Sequence, residues 1–156
     1  MDKHKLSEII PADIKNKIIS ISEKNKDYNV YRVSKSGLIN EDTFKSTYEE
    51  ILDEDIPQAQ HNLDDIYTYS TSCYDSIKPC KKFLNFQRKI KPSPCIIQGI
   101  IKGGYGCTLR DNKDGHIHWW IYEGFKNKIV KENLFKYLEE WLYEKRNNVL
   151  WRSKWR

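Results

Sequence analysis

An arginine inside a strand, a run of hydroxyls and a late carboxylate are the side chains of this chain most suited to handling an anionic ligand. Arg32 lies in Tyr28-Asn29-Val30-Tyr31-Arg32-Val33, an alternating segment ended by Ser36-Gly37. Side chains alternate along a strand, so Arg32 shares a face with Tyr28 and Val30, where a core would form. A guanidinium there needs an anionic partner, because burying it unpaired is costly. That partner is either an internal carboxylate or a ligand phosphate, whose oxygens match the planar fork of donors.

The second group is Asp65-Ile66-Tyr67-Thr68-Tyr69-Ser70-Thr71-Ser72-Cys73. The segment reads as a strand over Ile66–Thr71 that turns into a helix after Ser72. Ile66, Thr68, Ser70 and Ser72 then share one face, with Tyr67, Tyr69 and Thr71 on the other. Two serines aimed the same way at a strand end can serve a ligand. Ser72, followed by Asp75, also fits a helix N-cap with a partial capping box.

The third is the strand His116–Tyr122 with Glu123 at its end. His116, His118, Trp120 and Tyr122 form one face, a stacking and hydrogen-bonding surface. Ile117, Trp119 and Ile121 form a core face that ends on Glu123. A carboxylate there is either the strand leaving the core or, over a cleft, an acid, base or electrostatic group. His-x-His is weak as a zinc signal, and Cys73, Cys80, Cys95 and Cys107 contain no C-x-x-C pair. No Gly-x-Ser-x-Gly elbow is present, and Gly103–Gly106 links two strands rather than opening a phosphate-binding helix.

The elements that must hold these groups can be read from periodicity. Pro11–Lys24 is an amphipathic helix with Ile14, Ile18 and Ile21 on one face. Asn40 caps a helix striped by Phe44, Tyr48, Ile51 and Leu52, and an acidic, Gln-rich loop follows around Pro57. The helix after Ser72 runs to about Gln87, Pro79 arguing for a late start or a kink. Cys95–Ile101 is an apolar strand, and turns at Gly103–Gly106 and Asp111–Gly115 lead into His116–Tyr122. A last helix near Val130–Arg146 places Leu134, Leu138, Trp141 and Leu142 on its core face, and the tail Val149–Arg156 is either an edge strand or more helix. Turn-linked consecutive strands imply antiparallel pairing. The expected fold is therefore α+β, a single domain with a mostly antiparallel sheet of about five strands and about four flanking helices.

The chain has 156 residues, the length of one domain, and its 13% aromatic content can supply burial that its 38% hydrophobic share alone would not. No apolar run is long enough for a transmembrane helix and no secretory signal is legible, so a cytoplasmic location with reduced thiols is expected. The net charge of +5 is mild but uneven: Glu49–Asp55 is acidic, whereas Lys78–Lys91 is basic.

Taken in order, Arg32, the Tyr-Ser-Thr-Ser segment and Glu123 resemble the Arg–Ser–Glu group of ADP-ribosyltransferases. The resemblance implies NAD as substrate, with Arg32 on its phosphates and Ser70 bracing the nicotinamide-ribose side. Tyr69, Thr71 and Ser72 would complete the cofactor-binding segment. Glu123 would be the catalytic carboxylate that steadies an oxocarbenium-like transition state as nicotinamide leaves. The family's second Glu or Gln, two residues earlier, is here Ile121, so NAD hydrolysis or a non-arginine acceptor is implied. Such a protein would act as a toxin or conflict factor on a macromolecular acceptor. The alternative is a non-catalytic module that grips RNA or a protein through the His116, His118, Trp120 and Tyr122 surface, the Lys78–Lys91 patch and the Trp151–Arg156 tail.

Overall fold

The structure, a computed structural model, describes residues 5–138. The C-terminal part of the expected last helix and the Trp/Arg tail lie outside them. Within them, six strands form one antiparallel sheet: β1 (Tyr28–Ser34), β2 (Thr71–Tyr74), β3 (Cys95–Ile101), β4 (Gly106–Arg110), β5 (His116–Ile121) and β6 (Phe135–Tyr137). Their spatial order is β4-β5-β2-β1-β3-β6. Four α-helices accompany the sheet: α1 (Ala12–Ile21), α2 (Thr47–Leu52), α3 (Ile77–Arg88) and α4 (Phe125–Lys131). The fold is a single α+β domain as expected, with one strand more than the periodicity suggested.

One sheet face carries Val30, Cys73, Ile97, Ile117, Trp119 and Ile121, sealed by Phe44, Ile129 and Phe135. The opposite face is covered twice. Helix α1 lays Ile14 and Ile18 on Cys107, Trp120 and Tyr122, and α3 lays Cys80 and Leu84 on Val33 and Ile96. Apolar residues at helical spacing thus fix both helices, although Ile21 points outward.

Three local readings are corrected. Ile66–Tyr69 is a 3-10 turn, not a strand, because side chains there compete for the backbone. The Asp65 carboxylate accepts from Tyr67 N–H at 2.9 Å, and the Thr68 hydroxyl donates to Asn62 O at 2.7 Å. The strand therefore starts at Thr71, and Ser72 sits within it opposite His118 instead of capping α3. The helix expected after Asn40 is two pieces, a 3-10 turn Glu41–Phe44 capped by Asn40 and α2 capped by Ser46. The last helix does not run on from Val130: α4 ends at Lys131, Asn133 takes a left-handed φ of 54°, and β6 docks beside β3. Gly99 permits that docking, since a Cβ there would lie 2.5 Å from the Phe135 ring.

Candidate functional site

Strands β1 and β3 pair along seven residues, from Tyr28 to Ser34, but β1 meets β2 at Tyr31 and Tyr74 alone. The sheet opens beside that single contact, and Arg32 fills the gap. Its Nε donates to Thr43 O at 2.9 Å, its Nη1 to Ser72 O at 2.5 Å and its Nη2 to Lys45 O at 3.4 Å. The guanidinium thus gives β2, at Ser72 O, one donor that a continuous ladder would have supplied, and ties the turn carrying Thr43 and Lys45 to the same gap. The internal carboxylate considered as its partner is not what holds it. Arg32 is only 9% exposed, and no carboxylate among the described residues pairs with it.

A cleft of about 550 Å³ lies over this opening. Arg32, Ser72 and Tyr74 line it from the sheet, Phe83, Phe86 and Gln87 from α3, and Asp55, Pro57 and His61 from the loop after α2. Lys35 and Lys91 also line it. Lys35 is paired with Glu50 at 2.5 Å, whereas Lys45 is shared by Asp53 at 2.7 Å, Asp55 at 3.3 Å and Asp42 at 3.8 Å, so one ammonium faces three carboxylates and Asp55 keeps charge. Arg32 and Lys91 are the cleft-lining cations that no carboxylate among the described residues pairs, and Asp55 is a partly compensated anion beside them. Burial pushes the Cys73 and Cys80 thiols up to about 12 despite the opposing pull of Arg32, so both stay protonated and inert as nucleophiles.

The structure brings Arg32 and Ser72 together but separates the remaining residues of the pattern. Ser70 is 1% exposed; its hydroxyl donates to Tyr67 O at 2.9 Å and lies 3.3 Å from His118 Nδ1. The Thr71 hydroxyl donates to Phe44 O at 2.7 Å, and the Tyr69 hydroxyl to Leu63 O at 2.7 Å. All three are consumed in joining the 3-10 turn and β2 to their neighbours. Glu123 stands apart. Arg32 bonds the Ser72 carbonyl, next to Cys73, and Cys73 faces Ile117 on β5. From Ile117 to Glu123 is six residues, up to about 20 Å at roughly 3.3 Å per residue. The Glu123 carboxylate is exposed and accepts from Glu8 N–H at 3.3 Å.

The aromatic face of β5 also differs from an open surface. Trp120 and Tyr122 are buried under α1, with Trp120 Nε1 donating to Ile66 O at 3.1 Å. His116 and His118 are half-buried in a series of rings, with His116 on Tyr74 at 4.9 Å and His118 on Tyr67 at 4.2 Å between centroids. Burial lowers the pKa of both, His118 to about 4 with its histidine neighbour adding to the effect. Both are neutral rings near pH 7. Among the described residues, no three His, Cys, Asp or Glu side chains come together to hold a metal ion.

Lys91, Phe86, Asp55 and His61 belong to the cleft but not to the pattern read from the sequence. Lys91 was visible as part of a basic run and Asp55 as part of an acidic one. Nothing in their spacing says that α3 and the loop after α2 face each other. Comparison with known proteins adds no identity: no family, no curated protein and no solved structure matches the chain.

Proposed function

We propose that the protein binds an NAD-type dinucleotide in the cleft where β1 and β2 part, as an ADP-ribosyltransferase-like or NAD glycohydrolase-like protein working in the cytoplasm. One observation carries the reading: Arg32 is a buried cation whose hydrogen bonds go to carbonyls, so its charge meets no carboxylate at a ligand-sized opening. A pyrophosphate would supply the missing negative charge. The strands bearing the Arg, the Ser-Thr-Ser and the late-strand motifs also lie side by side as β1, β2 and β5. Glu123 has no part in this reading. Asp55, the carboxylate that lines the cleft, faces the ribose cation that forms as nicotinamide departs.

The test is calorimetric titration of NAD, with nicotinamide release followed in parallel. Arg32→Lys keeps the charge and loses the fork, so NAD affinity is expected to fall about tenfold. Asp55→Asn is expected to bind NAD at least as tightly and to release nicotinamide more slowly. Absence of NAD binding by the unaltered protein refutes the proposal.

A further inference from the structure

Helix α3 presents two faces with opposite tasks. Cys80, Leu84 and Gln87 are buried in the core. Lys78, Lys81, Lys82, Phe86 and Lys89 recur at three- and four-residue spacing on the exposed side, and the Lys89 backbone is still helical. This stripe spans twelve residues, eleven steps of about 1.5 Å each, or about 16 Å. Phe86 is 56% exposed and Ile90, just past the helix, 60%.

Five lysines elsewhere in the described fold, Lys26, Lys35, Lys45, Lys102 and Lys126, pair with carboxylates. On α3 and its exit, none of Lys78, Lys81, Lys82, Lys89 and Lys91 meets a carboxylate among the described residues. Five unpaired ammonium groups therefore line up around an outward ring, and the stripe ends where Phe86, Ile90 and Lys91 form the mouth of the cleft. Unpaired cations alone would suit any polyanion. An exposed aromatic ring set among them adds a platform for a planar, stacking partner, which an acidic peptide lacks at most positions.

We infer that the outer face of α3 is a docking surface for single-stranded nucleic acid, the lysines meeting phosphates and Phe86 stacking on a base. This surface stands on its own observations and does not depend on NAD entering the cleft. It is tested by fluorescence anisotropy of a labelled single-stranded RNA dodecamer across a salt series. Affinity is expected to fall with salt. Phe86→Ala is expected to weaken binding about tenfold at all salt concentrations. Lys81→Ala with Lys82→Ala is expected to flatten the slope of log K against log salt by about 1.4, two phosphates at roughly 0.7 each. A duplex of equal length is expected to bind more weakly, because its bases cannot reach the ring. All three substituted side chains are exposed, so the fold survives their removal. Wild-type affinity in Phe86→Ala, equal affinity for the duplex, or equal affinity for an oligoglutamate dodecamer overturns the inference. The last outcome would mark the stripe as a docking site for an acidic protein segment.

Discussion

Arg32 and Lys45 are neighbouring cations satisfied by opposite means. Arg32 Nη2 reaches the Lys45 carbonyl, so the two residues share one corner of the fold. Lys45 Nζ lies 2.7 Å from Asp53, 3.3 Å from Asp55 and 3.8 Å from Asp42. Its hydrogen bond to Asp53, aided by Asp55 and Asp42, raises its pKa above the usual lysine value. Its charge is cancelled where it sits. Arg32 has carbonyls alone, which occupy its N–H groups but cancel none of its charge. Donor satisfaction and charge neutralisation are separate conditions. Only the residue that meets the first and not the second keeps a field to offer a ligand.

The sharpest way to break this contrast is to remove each cation in turn and measure urea unfolding. Arg32→Ala leaves three carbonyls without their charged donor and an unbridged gap between β1 and β2. The expected cost is about 3 kcal/mol, since hydrogen bonds from charged groups are strong and their loss leaves buried acceptors orphaned. Lys45→Met is expected to cost about 1 kcal/mol or less, because its aspartates are half-exposed or more and water can resolvate them. NAD affinity should separate them further, falling strongly with Arg32→Ala and little with Lys45→Met. Equal effects of the two substitutions would remove the distinction.

A smaller effect is expected from His118, which lies on the other side of β2 from the opening. Its folded pKa of about 4 lies below the ordinary histidine value of 6.5. Between these values the unfolded chain binds the proton more readily than the fold does. The stability that rests on neutral His118 is therefore full above pH 6.5 and is lost as pH falls from 6.5 towards 4. His118→Gln should flatten that part of the stability profile measured by urea unfolding. A profile as steep in the variant as in the wild type would move the titration to another group.

What could be read from the residues divides along the same line. Periods of two and three to four placed β1, β5 and α1, because a buried face repeats wherever one exists; an unbroken apolar run placed β3, and capping and proline signals placed the helix after Ser72. Arg32 stood out for the same reason, a charge on a core face. The 3-10 turn at Ile66–Tyr69 escaped because Asp65 and Thr68 outbid a ladder through local bonds that leave no period. Strand β6 escaped because its docking depends on Gly99, a residue on another strand. The cleft's far wall was invisible for a plainer reason: the approach of α3 to the Asp55 loop is tertiary, and neither segment carries a mark of the other.

The smallest expected effect is the most decisive about the carboxylate. Glu123→Gln removes the charge from the partner of one exposed amide, Glu8 N–H, beyond the end of β5 far from Arg32. It is expected to leave unfolding free energy within about 0.5 kcal/mol of wild type, as surface substitutions usually do, and to leave NAD affinity and nicotinamide release unchanged. A carboxylate stabilises an oxocarbenium charge only within a few ångströms, because solvent screens it beyond about 8–10 Å. If Glu123→Gln nevertheless abolished nicotinamide release, the end of β5 would have to swing towards the cleft during turnover. Arg32 and Glu123 would then belong to one site after all.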